Sequence, residues 1–191
     1  RIVLSESEPP ASFEQLSAGE CDLALAFTFG VADEPVEEAF LRVPLIRDPL
    51  VVLLHAGHPL AGAASLDLRD LADEPWIAGC PRCNVHFHQI CAEAGFDPDV
   101  VCATDDNLSV QILVASGLGA ALMPNLVVSF TRHANIVAVP LSLPPTRTIS
   151  AYTWTRSTEI PIVRECLEVL QEVAGYFATH GGGGAPAGIT A

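Results

Sequence analysis

Cys80-Pro81-Arg82-Cys83, followed closely by His86, His88 and Cys91, is the densest cluster of nucleophilic and metal-ligating side chains in the chain. Three readings of it compete. A zinc site would use Cys80, Cys83 and two of His86, His88 and Cys91, because a pair of thiolates two residues apart can share one tetrahedral ion. There is no second Cys-x-x-Cys pair, however, and Cys91 falls on the same helical face as Phe87 and Ala94, which is a core-packing pattern. A redox pair would use Cys80 and Cys83, with Cys83 beside a helix N-terminus that favours the thiolate. In the third reading these are small apolar side chains with no chemistry. The spacing alone leaves all three open.

Other candidates for chemistry are sparse. Gly117-Leu118-Gly119 ends a helix and enters a strand, the reverse of a dinucleotide-binding loop. His55 and His58 precede a proline turn with neither a third ligand nor a nucleophile nearby, and no G-x-S-x-G elbow or paired-acid motif occurs. Trp76 and Trp154 lie in strand-like runs and read as core. No acid, base and nucleophile are assembled, so neither an enzyme nor a cofactor is expected, and the metal-free readings of the cysteines are preferred.

The composition narrows the class further. The chain has 191 residues, 9 basic against 23 acidic for a net charge of −14, with 50% hydrophobic and 17% charged residues. That excludes intrinsic disorder, which needs low hydrophobicity and high charge. The nine basic residues are scattered singly, so this chain has no stripe with which to neutralise DNA phosphates. Its longest apolar candidate, Ile112 to Phe130, is interrupted by Ser116, Gly117, Gly119, Pro124, Asn125 and Ser129, too often for a membrane span. No signal peptide is visible, and six cysteines in a chain this long do not read as a secreted disulfide framework. A reducing, cytoplasmic setting is expected. The strand-like start, Arg1-Ile2-Val3-Leu4-Ser5, suggests numbering that begins partway through a longer protein.

Short Val-, Ile- and Leu-rich runs alternate with helical patterns, the mark of an α/β protein. After the opening strand, a helix over Ala11–Ala18 stops at Gly19, and Cys21–Phe27 reads as a buried strand. An acidic loop follows at Asp33, Glu34, Glu37 and Glu38. Phe40–Ile46 and Leu50–His55 read as paired strands around Arg47-Asp48-Pro49, with a crossover at Gly62–Ser65. Leu66–Leu71 reads as a short helix or turn and Pro75–Ala78 as a strand. The loop Gly79–Asn84 then leads to a helix over Val85–Ala94. Strands are expected at Val100–Ala103, Ala120–Met123, Ile136–Leu141 and Ile149–Thr155. Thr104–Asn107 caps a helix over Leu108–Ser116. Pro144-Pro145 is a second crossover, and Ile162–Ala178 is a final amphipathic helix before a Gly-rich tail.

Four segments in this order, Asp22–Leu25, His58–Ala61, Asp70–Ile77 and Leu113–Pro124, resemble the effector-binding domain of LysR-type transcriptional regulators, over roughly residues 1–178. The resemblance implies a fold similar to type II periplasmic binding proteins, with two α/β subdomains joined by two crossover strands and a small molecule bound between them. Subdomain I would comprise 1–62 and 147–178, incomplete at its N-terminus, and subdomain II 63–146, with 179–191 a disordered tail. The DNA-binding winged helix-turn-helix of the family is not in this sequence, so contact with DNA would be made only through that domain. A homodimer or tetramer of the full-length protein is implied, and no membrane partner.

In such a fold the effector lies at strand ends and helix N-termini. The implied contacts are Thr28 in subdomain I, Gly79, Cys80, Arg82 and Asn84 before one helix, Asp106 and Asn107 before another, and Pro124 at the end of the Leu113–Pro124 motif. Arg82 could grip a carboxylate bidentately, so the effector could be a carboxylate. The competing role for Asn84 and Asn107 is helix N-capping alone. The expected function is therefore an allosteric effector sensor. The alternatives are a stand-alone solute-binding protein of the same fold, or a thiol sensor using Cys80 and Cys83.

Overall fold

The computed structural model describes residues 1–29 and 39–180. The acidic stretch at Asp33, Glu34, Glu37 and Glu38 and residues 181–191 of the expected tail 179–191 lie outside the described residues, whereas 179 and 180 are not disordered tail but the end of the last helix. The chain divides into two compact units, Arg1–Arg47 with Arg147–Ala191, and Asp48–Thr146.

In the first unit, β1 (Ala24–Thr28) pairs antiparallel with β7 (Thr146–Trp154), Ala24 opposite Tyr152 and Thr28 opposite Thr148. The first half of β2 (Phe40–His55) runs beside β7, and Arg42 Nε donates to Ser150 Oγ at 3.1 Å. Side chains alternate between the two faces of a strand, and β7 shows it clearly. Tyr152 packs with Ala24, Ala26 and the α1 (Ala11–Ala18) residues Phe13 and Leu16, whereas Ala151 packs with Val163 and Leu167 of α5 (Pro161–His180). The Phe13 and Tyr152 rings meet edge to face at 4.9 Å. Trp154 is anchored by its Nε1, which donates to Leu16 O at 2.9 Å, and stands edge-on to Phe40.

The second unit is a sheet in the order β6-β2-β5-β3-β4. Its β5 (Ala120–Pro124) and β6 (Ile136–Pro140) lie antiparallel to the second half of β2, and β3 (Pro75–Ala78) is parallel to both β5 and β4 (Asp99–Ala103). Helices cover both faces, so Leu50–Leu54 is a continuous buried run rather than an alternating one. Val52, Leu54, Trp76 and Ala120 face α2 (Pro81–Ala94) through Phe87, Ile90 and Cys91. Val51, Leu53, Ile77 and Ala121 face α3 (Asn107–Ala115) and α4 (Asn125–Phe130) through Val110, Val114 and Val128. Burying a side chain of this size contributes roughly 1.5–3 kcal/mol, so these two layers dominate the stability of the unit.

Gly117 and Gly119 serve the fold. Gly117 ends α3 with φ +80°, a conformation that other residues rarely adopt. A Cβ on Gly119 would stand 2.4 Å from Pro75 O, so β5 can reach β3 only because this residue has no side chain.

Several expectations need correction. Arg1–Ser5 is not a strand: no described strand runs alongside it, Val3 and Leu4 are 76% and 91% exposed, and β-propensity without a ladder is not enough. Phe40–Ile46 and Leu50–His55 do not pair with each other but form one 16-residue strand, each half finding a different neighbour. The chain passes from the first unit to the second at Arg47–Asp48 inside β2, not at Gly62–Ser65, which forms turns within the second unit. Buried Asp48 holds this passage, its Oδ1 accepting the Leu126 N–H at 2.8 Å at the start of α4. The short helix or turn expected at Leu66–Leu71 is a 3-10 turn at Leu68–Leu71, closed by a capping box between Asp67 and Asp70.

Candidate functional site

In the second unit, β3 and β4 are adjacent and parallel, and each runs directly into a helix, so the N-termini of α2 and α3 emerge along one edge of the sheet. Thr104 N–H donates to Ala78 O at 3.1 Å and joins the two strand ends there. Since β5 is also parallel to β3, Pro124 stands at the carboxyl end of a third strand on that edge. Unsatisfied N–H groups in first helical turns favour anions and polar groups, and open α/β sheets bind ligands at such carboxyl edges.

α2 begins at Pro81, four residues earlier than Val85, so Gly79–Asn84 is not the expected loop. Proline fits the first helical position because its missing N–H needs no partner there. Cys80 is the N-cap: its Sγ accepts the Cys83 N–H at 3.4 Å. Asn84 is thus not a cap but the fourth helical residue, its N–H bonded to Cys80 O at 2.8 Å. Its Oδ1 is buried with no partner among the described residues. Arg82 and Cys83 are half-buried in the same first turn. Gly79 precedes the cap, and a Cβ there would meet only Cys83 Cβ at an ordinary 3.5 Å.

At α3 the cap is Asp106, not Asn107. Its carboxylate accepts from the N–H groups of Leu108 and Ser109 and from the Ser109 hydroxyl. The Ser109 hydroxyl, then the two backbone N–H groups, hold the Asp106 carboxyl below its ordinary range. Asn107 is the exposed first residue of α3. Gln111, buried in the same helix, donates to Thr131 O at 3.0 Å and accepts from His133 N–H at 2.9 Å. Gly79, Cys80, Arg82, Asn84, Asp106, Asn107 and Pro124 are therefore spread over three adjacent strand ends of one unit. Thr28 belongs to the first unit and is a buried strand residue rather than a loop hydroxyl.

None of the six cysteines is in a disulfide, and Cys80 Sγ lies 2.9 Å from Cys83 Sγ. Cys91 packs in the core against Trp76 and Phe87, and burial, with the Asp97 carboxylate adding to it, pushes its thiol up to about 12. His88 Nδ1 lies 3.5 Å from Asp97 Oδ1. Among the described residues no three His, Cys, Asp or Glu side chains are grouped to hold a metal ion.

Residues 1–175 match the LysR substrate binding domain. The chain belongs to that family. Among curated relatives of this LysR domain, the DNA-binding transcriptional dual regulator OxyR of Escherichia coli is 30% identical over 154 residues, 78% of this chain and 48% of OxyR. The HTH-type transcriptional regulator AlsR of Bacillus subtilis is 29% identical over 130 residues, 65% of this chain and 41% of AlsR. The chain thus spans about half the length of the curated relatives it matches. The BenM effector binding domain, solved with its effector benzoate, superposes with a TM-score of 0.78 at 24% identity, over 97% of this chain and 82% of that one. The LysR domain accordingly has the type II periplasmic-binding-like α/β fold. Its matched relatives are transcription regulators, which does not favour a stand-alone solute-binding protein. No helix among the described residues is long and apolar enough to cross a membrane.

Proposed function

We propose that this LysR domain is the effector-sensing part of a cytoplasmic DNA-binding transcription regulator, non-catalytic and using no cofactor. The observation that carries this reading is the Thr104–Ala78 hydrogen bond, which sets two capped helix N-termini side by side at the carboxyl edge of parallel strands. A small carboxylate would be gripped there by the guanidinium of Arg82, whose fork matches a carboxylate, beside the positive end of α2. Gly79, Cys80, Asn84, Asp106, Asn107 and Pro124 line the proposed contact edge, and Thr28 is proposed as a further contact on the strength of the family resemblance. Effector binding would bias one conformation of the domain over another, and linkage would carry that bias to the DNA-binding part of the longer protein. With a net charge of −14, this chain is not the DNA-contacting part. The longer protein would work as a homodimer or tetramer.

Benzoate, the effector of the similar BenM domain, is the first probe. Calorimetric titration of the chain with benzoate and other small carboxylic acids should find a binder whose affinity falls at least about tenfold in Arg82→Ala, the loss of a charge-assisted hydrogen bond. A carboxylate that binds wild type and Arg82→Ala equally well would remove Arg82 from the site.

A further inference from the structure

We propose that Cys80 and Cys83 are a dithiol that closes reversibly to an intrachain disulfide on two-electron oxidation by a hydroperoxide, a modification site at the start of α2 that operates without an effector. The two sulfurs are held by the helix itself: Cys80 caps α2 and Cys83 is its third residue, with the Cys83 N–H donating to Cys80 Sγ at 3.4 Å. The Cys80 and Cys83 Sγ atoms lie 2.9 Å apart. An S–S bond of ~2.05 Å therefore requires the sulfurs to close by only about 0.9 Å. Pro81 fixes the backbone between them, which restricts the ways the pair can separate.

The two thiols differ in access. Cys80 is 8% exposed and Cys83 is half-buried, so the attack on oxidant falls to Cys83. As the thiolate, Cys83 attacks one peroxide oxygen. The O–O bond breaks, the leaving alkoxide takes up a proton to become an alcohol (water, when the oxidant is hydrogen peroxide), and Cys83 becomes a sulfenic acid. Cys80, on losing its proton, attacks that sulfur. The S–S bond forms, the S–O bond breaks, and hydroxide leaves to combine with the proton as water. Two thiols and one hydroperoxide thus give one disulfide, one alcohol and one water, with two electrons passing from sulfur to oxygen. A dithiol reductant reverses the step by exchange. Cys91 is poorly placed to compete as the second thiol, because it is packed among Trp76, Phe87 and Ile90 in the core.

The test is intact mass and peptide mapping of the whole chain, fully reduced, treated with hydrogen peroxide and then blocked with an alkylating agent. The expected product has lost two hydrogens, carries a Cys80–Cys83 link, and returns to full alkylation after dithiothreitol. Cys83→Ser and Cys80→Ser should each abolish the link. Serine is itself a good N-cap, so Cys80→Ser keeps the start of α2 and the loss is not one of folding. Cys91→Ser should form the link as wild type does. A link that survives in Cys83→Ser, or oxygen atoms added to Cys83 with no link, would overturn the proposal. Neither readout depends on an effector, so failure here leaves the effector reading standing, and the reverse.

Discussion

Thr104 N–H bonds Ala78 O at 3.1 Å, and this one contact fixes where two helices begin relative to each other. β3 ends at Ala78 and β4 at Ala103, the two being opposite one another in the parallel ladder. Each chain then turns into a helix capped by its own side chain, Cys80 for α2 and Asp106 for α3. Two helix N-termini are thereby set along a single edge, their Cys83, Leu108 and Ser109 N–H groups taken up by the caps, with the Arg82 side chain in the first turn of α2.

The Asp106 cap gives a pH signature. Its carboxyl is held below the ordinary range in the folded chain, so the unfolded chain binds the proton more readily. Its contribution to stability is present above the unfolded value and is lost as pH falls through the lower, folded one. Urea denaturation of wild type and Asp106→Asn at neutral and acid pH should show the variant losing less stability on acidification. Parallel curves would show that the cap does not titrate.

Cys91 acts at the other end of the scale. With its thiol raised to about 12, the folded chain keeps a proton that the unfolded chain loses near its ordinary 9.0. The folded state therefore binds more protons between those values, and stability falls as pH rises through that window. Cys91→Ala should flatten this alkaline loss in denaturation experiments. In the native chain at pH 8, Cys91 should also be the slowest cysteine in unit 2 to react with iodoacetamide.

Gly119→Ala should cost at least about 1–3 kcal/mol, since strain in a packed region is expensive and the clashing atom is backbone. The new Cβ would sit 2.4 Å from Pro75 O, forcing β5 away from β3. Gly62→Ala is the control: nothing lies within 4 Å of its Cβ, and the change should be neutral or stabilising by about 0.4–1 kcal/mol. Equal melting temperatures for the two variants would contradict the close approach.

Local signals explain what was legible in the sequence. Pro9-Pro10 and Gly19 bracket α1, and the apolar seam of Val163, Leu167 and Ala174 marks α5. The start of α2 was equally available, because Pro81 suits a first helical position, but a Cys-Pro-Arg-Cys stretch reads as a loop when proline is weighed only as a breaker. Asp106 and Asn107 are both good caps, and choosing between them needs the backbone angles. Asp48 and Gln111 were missed for a different reason. Their partners, Leu126, Thr131 and His133, are brought to them by tertiary folding, and no local pattern marks a polar residue that will be buried and satisfied from afar. The single long β2 likewise depends on partners far along the chain.

The most direct test of effector sensing is an NMR titration of the amide-labelled chain with small carboxylic acids, reading backbone N–H shifts residue by residue. A binding carboxylate should move the amides of Arg82–Asn84 and Thr104–Ser109 together and most strongly, and Arg82→Ala should suppress both sets. A carboxylate that binds while shifting its largest set of amides elsewhere in the chain, with these two segments unmoved, would contradict this expectation.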